Sequence, residues 1–146
     1  MAFFSGSKNK IIMALDRIVN VVSAKTPFIP YKGTDLQKYF DHTIGVTLNN
    51  LGIKEIRLWF SPSQGNYIKT LQLHETQQII SDTREGLVVT LQLTINYELL
   101  QTLLAFGPEV KVLEPASLQQ QIKDMIRKSM ALYEKPLPTI VTPQQR

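Results

Sequence analysis

A chain of 146 residues has room for one domain, or one domain and a fragment, and such a domain buries roughly two thirds of its unfolded surface. Hydrophobic residues at 43% and charged residues at 19% exclude a disordered chain, and the net charge of +4 is scattered among acids rather than drawn into one backbone-binding stripe. The absence of cysteine excludes a disulfide scaffold and any thiolate-bound zinc or iron–sulfur centre, and it fits a reducing compartment. His42 and His74 stand 32 positions apart with no HExxH neighbourhood, so neither a metal nor a cofactor is expected. No apolar run reaches the about 18 residues a membrane span needs. The N-terminus puts its lysines after Phe3 and Phe4 and lacks the apolar core of a signal peptide, so the expected location is cytoplasmic, away from membranes.

Residues 9–23 are rich in Ile and Val and predict one bent strand or two short ones. Pro27 and Pro30 end any ladder, because proline has no N–H to donate. Thr34 with Gln37 reads as a capping box, followed by a short helix through Asp41 with Leu36, Tyr39 and Phe40 as its apolar side. Gly45, Asn49, Asn50 and Gly52 then mark a boundary, dividing the chain into residues 1–50, 51–135 and a flexible tail, 136–146.

The second stretch is more regular. Residues 53–60 alternate, with Ile56, Leu58 and Phe60 on one face and Glu55, Arg57 and Trp59 on the other. Ser61 and Pro62 start a helix, in which Tyr67, Ile68 and Leu71 have helical spacing. A second strand is expected over 72–81, and a polar turn over 82–86. Residues 87–95 give the clearest alternation in the chain, with Leu87, Val89, Leu91, Leu93 and Ile95 on one face. Asn96 caps the next helix, Glu98 sits in its first turn, and Leu99, Leu100, Leu103 and Leu104 form its inner stripe up to a left-handed stop at Gly107. A fourth strand over 109–113 precedes a final helix opened by Pro115, with Leu118, Ile122, Met125, Ile126 and Tyr133 on one side. The order β-α-β-β-α-β followed by a helix predicts an α+β fold, ferredoxin-like βαββαβ with an extra C-terminal helix.

On these elements, residues 53–133 resemble the C-terminal extension, called WCX, that follows the WYL domain in bacterial transcriptional regulators. The resemblance rests on the strand 56–60, Leu73-His74-Glu75-Thr76-Gln77, Glu98-Leu99, Phe106-Gly107, Val110 through Pro115, Leu118 and Tyr133. Upstream, Ala14-Leu15-Asp16-Arg17-Ile18 with Pro27-Phe28 looks like the closing strands of a WYL domain, an Sm-like small barrel. The Trp-Tyr-Leu triad and the winged helix-turn-helix of the family are absent from this sequence. The resemblance therefore implies the C-terminal part of a regulator, whose partial barrel strands over 9–23 would pair with another copy or pack on the second module.

Two residues stand out as candidate effector contacts. Arg17 matches the arginine of a basic WYL surface that the family resemblance assigns to an anionic effector, such as a nucleotide or single-stranded nucleic acid; a guanidinium fork suits that role. Against it stands a surface arginine paired with an acid elsewhere. His74 is either a hydrogen-bonding member of an effector site or a histidine satisfied by backbone on its strand. Trp59, with Val88 and Thr90, would form an apolar patch if the second face of the sheet is open, yet residues 87–95 hold no aromatic residue for stacking bases. Isolated glycines build no phosphate loop and no nucleophile has a placed base, so no enzyme is expected. The stripe over 118–133 reads as core or dimer seam.

The resemblance and the residues together imply an effector-sensing and oligomerisation module of a transcriptional regulator. It would form a homodimer and meet DNA only through a helix-turn-helix domain that this sequence lacks. The rival is a stand-alone ferredoxin-like domain that binds a small molecule or RNA.

Overall fold

The structure is a computed structural model. It describes residues 2–3, 10–11, 15–23, 25, 40–47 and 51–136. Packing divides the chain into two compact units, Met1–Asp41 and His42–Arg146.

In the first unit, β1 (Ala2–Phe3) pairs antiparallel with β2 (Lys10–Ile11), and a single 3-10 turn follows at Leu15–Arg17. The strand expected over 9–23 is thus confined to Lys10 and Ile11 among the described residues. Those two residues find their partner in this chain's own start, and closing so short a loop costs little entropy. Residues 18–23 have no regular structure, and Val19, Val21 and Val22 are exposed. Most of the capping box and helix expected over 34–41 lies outside the described residues; only Phe40 is seen in helical conformation.

The second unit holds β3 (Ile53–Phe60), α1 (Pro62–Thr70), β4 (Gln78–Thr83), β5 (Gly86–Thr94), α2 (Tyr97–Ala105), β6 (Val110–Glu114) and α3 (Ala116–Tyr133). The sheet runs β4-β5-β3-β6 with every pairing antiparallel, which is the ferredoxin-like arrangement with one helix added. β3 and β5 are central, and their alternation buries Ile56, Leu58, Phe60, Leu87, Val89, Leu91 and Leu93 on one side under the helices. Ile68 of α1, Leu99 and Leu103 of α2, and Leu118 of α3 complete that core. Phe106 meets Phe60 edge-on, with centroids 5.5 Å apart.

The helix starts follow the sequence. Ser61 Oγ accepts from Gln64 N (3.2 Å) and Asn96 accepts from Leu99 N (2.9 Å). Ser61 and Ser63 (2.9 Å) also donate to the Glu109 carboxylate, and these hydroxyls hold it below the usual carboxylate range. Glu109 is therefore occupied in a 3-10 turn, Gly107–Glu109, and the fourth strand begins one residue later than expected. At Gly86 (φ +136°) a Cβ would strike the Phe60 carbonyl oxygen and lie 2.5 Å from Trp59 Nε1, so the hairpin needs glycine there.

The second strand departs from its expected bounds in this unit, and several apolar side chains with helical spacing are exposed. The second strand starts at Gln78, not 72, because residues 73–77 form a turn pinned by Gln77. Its side chain accepts from Leu73 N (3.1 Å) and donates to Ile68 O (3.1 Å). His74 accordingly lies in a turn and not on a strand. Tyr67 and Leu71 are exposed, since α1 buries only Gly65 and Ile68 against the sheet. Tyr133 is exposed as well, at the far end of a helix that buries only Leu118 fully.

Candidate functional site

The polar chemistry of the second unit gathers at one edge of β5. The β4 ladder ends at Gln78 opposite Thr90, which leaves the outer backbone groups of Gln92 and Thr94 without strand partners. Side chains and a chain segment take over. Gln92 N donates to Thr76 Oγ1 (3.1 Å), His42 Nδ1 donates to Gln92 O (2.8 Å), and Thr94 N donates to His42 O (2.8 Å). His74 supports this from behind: its Nδ1 accepts from Thr76 N (3.2 Å) and lies 3.0 Å from Thr76 Oγ1. The two histidines thus serve one residue of β5, His42 directly and His74 through Thr76. Their bonds require the proton of His42 on Nδ1 and leave Nδ1 of His74 as an acceptor.

From His42 the chain continues as a strap across the head of α2. Asn96 Nδ2 donates to Ile44 O and to Thr47 O, both at 2.8 Å, while its Oδ1 caps the helix. Glu98 Oε1 accepts from Val46 N (3.3 Å), Thr47 N (3.0 Å) and Thr47 Oγ1 (2.7 Å). The Thr47 hydroxyl bond, opposed by partial burial and aided by the backbone amides, holds the Glu98 carboxyl below its usual range. Glu98 Oε2 is sealed from solvent with no hydrogen-bond partner among the described residues, so the clamp works through one oxygen. Gly45 (φ +75°) lets the strap come this close, because a Cβ there would lie 2.5 Å from Glu98 Cγ.

The face of the sheet turned away from the helices carries Arg57 and Trp59. Arg57 reaches Glu114 (3.3 Å) and Glu55 (3.6 Å), so acids already neutralise it; its Nε has no partner among the described residues. Trp59 Nε1 donates to Glu85 O (3.2 Å). One tethered aromatic ring and a balanced arginine give base stacking and anion capture little to work with on this face.

Arg17 closes the 3-10 turn of the first unit and is exposed, whereas His74 belongs to the second unit. The strap anchors were missed as such by sequence reasoning, which read Asn96 only as a cap and Glu98 only as a charge at a helix start. Their partners lie about 50 positions away, as the separation of 52 between Asn96 and Ile44 shows, and no local pattern reports that. Among the described residues no group of three or more His, Asp or Glu could hold a metal, and no helix is long and apolar enough to cross a membrane.

The family model described as the WCX domain matches residues 54–130, close to the stretch whose residues carry the resemblance. Among solved structures, proteasome accessory factor B/C (PafBC) of Arthrobacter aurescens is similar, with 21% identity and a TM-score of 0.52. The match covers 82% of this chain and 17% of that one, so the chain spans less than a fifth of that protein's length. At this identity the likeness shows fold. No curated protein matches.

Proposed function

The chain belongs to the WCX domain family, and from that premise we propose that it is an effector-sensing and oligomerisation module of a bacterial transcriptional regulator. In this reading residues 1–50 are the end of a WYL domain, the module works in the cytoplasm, and DNA is reached through a helix-turn-helix domain elsewhere in the regulator. The activity is regulatory rather than catalytic.

One observation carries the reading: the strap at residues 42–47 is bolted to the head of α2 by Asn96 and Glu98. A connector fixed by charge-assisted and amide bonds passes a displacement on, where a loose linker would absorb it. An anionic effector, a nucleotide or single-stranded nucleic acid engaging Arg17, then acts by linkage. It binds one arrangement of WYL and WCX modules better than the other and shifts the population accordingly. His74, which holds the Thr76 turn against β5, is proposed separately as an effector contact within the second unit.

The test uses the regulator with its DNA-binding domain and a panel of nucleotides and short single-stranded oligonucleotides. Operator affinity should change when one of them binds, and Arg17→Ala should abolish that change. Identical operator affinity across the panel, with and without ligand, would sink the mechanism.

A further inference from the structure

The last helix outruns the domain it covers. α3 has 18 residues, roughly 27 Å at 1.5 Å per residue. Leu118, Ile122, Ile126, Met130 and Tyr133 recur at helical spacing, so they form one stripe. Along it exposure climbs from 0% at Leu118 through 49% at Ile126 and 62% at Met130 to 92% at Tyr133. Beside the front of the stripe, α2, β6 and α3 enclose an open apolar groove of about 340 Å³, walled by Leu103, Pro108, Val110, Ile122 and Ile126. One helix therefore offers apolar knobs at its end and an apolar groove at its middle, both on the same face.

Knobs and a groove on one surface are self-complementary, as a twofold contact requires. We infer that a second copy of this chain covers the stripe, with the two α3 helices antiparallel across a twofold axis near residues 128 and 129. In this register Met130 lies against Ile126 of the other copy, and Tyr133 reaches Ile122 at the mouth of its groove. Charge selects the same register. Lys123 and Glu134 are 11 positions apart, close to three helical turns, and share the flank of the stripe. The antiparallel pair sets each Glu134 opposite the other copy's Lys123, twice by symmetry. A register one turn away sets Glu134 toward Arg127 instead, a cation that Asp124 already pairs at 3.2 Å. The inference rests on the oligomerisation reading above and says where its seam lies.

The sequence has no cysteine, so a single introduced thiol reports unambiguously. Under mild oxidation Ser129→Cys should cross-link two chains, and Gln120→Cys, on the far side of α3, should not. In sedimentation equilibrium, Met130→Glu with Tyr133→Glu should yield monomers whose circular dichroism is unchanged, because both side chains are exposed within one copy. Glu134→Lys and Lys123→Glu should each weaken the dimer by about tenfold or more, and the double reversal should restore it. A dimer indifferent to all these changes, with no Ser129→Cys cross-link, overturns this seam and leaves the oligomerisation reading standing. A wild-type chain that stays monomeric at high concentration overturns both. A monomer destabilised by Tyr133→Glu would show that the stripe is covered by its own chain, and would also overturn the seam.

Discussion

β5 and the strap at residues 42–47 lie against each other, yet opposite physics holds them in place. β5 sits between two strands and buries Leu87, Val89, Leu91 and Leu93 under the helices, so its position follows from apolar area removed from water. The strap exposes Gly45, Val46 and Thr47 and is held by hydrogen bonds to Gln92, Thr94, Asn96 and Glu98. Burial is non-directional and tolerates small shifts, whereas hydrogen bonds fix one geometry and fail as a set. The module thus pairs a core that resists change with a connector that a few side chains can release.

The comparison can be broken at either end. Phe60→Ala, which empties the centre of the core, should cost about 3–5 kcal/mol in chemical denaturation, and strap and sheet should unfold together. Asn96→Ala removes a helix cap and two amide donors to the strap at once, and should cost about 2 kcal/mol on the same measurement. Glu98→Ala should cost about 1 kcal/mol, and the loss should be local. Amide exchange at Val46 and Thr47 should quicken while the β5 amides keep their protection. Equal acceleration in β5 would show that the strap and the core are a single cooperative unit, and the contrast drawn above would be gone.

Acid should have the smallest effect. The folded-state pKa of Glu98 is lowered from 4.5, so its ionised form contributes stability above that value, and the contribution disappears as pH falls through the lowered one. Amide exchange at Thr47 should therefore speed up on acidification beyond its intrinsic pH dependence, and Glu98→Gln should remove that excess. Glu109 responds with the same sign, through Ser61 and Ser63 at the start of α1, so the Glu98→Gln control is what isolates the strap.

Several features were legible because their causes are local. The alternation of residues 87–95 marked a strand buried on one face, and Ser61, Asn96 and Gly107 marked helix ends through the backbone groups they satisfy. The turn around His74 was not legible: Leu73 through Gln77 read as a continuing strand, and only the reach of Gln77 to Ile68 O bends them away. The exposure of Tyr133, in a stripe that read as core or dimer seam, was not legible for a related reason. Helical spacing says which residues share a face but not where the neighbouring sheet stops.

By itself the sequence determined the order of strands and helices, the apolar faces that form the core, and membership in the family whose residues 54–130 match. These depend on spacing along the chain and on the chemistry of single residues. Only the tertiary structure decided that His42 and His74 would both serve Gln92, that Asn96 and Glu98 would hold residues 44–47, and that the end of α3 would stand uncovered in one copy. Each of these depends on distances between residues remote in sequence, or on where one element ends against another, and a one-dimensional pattern carries neither.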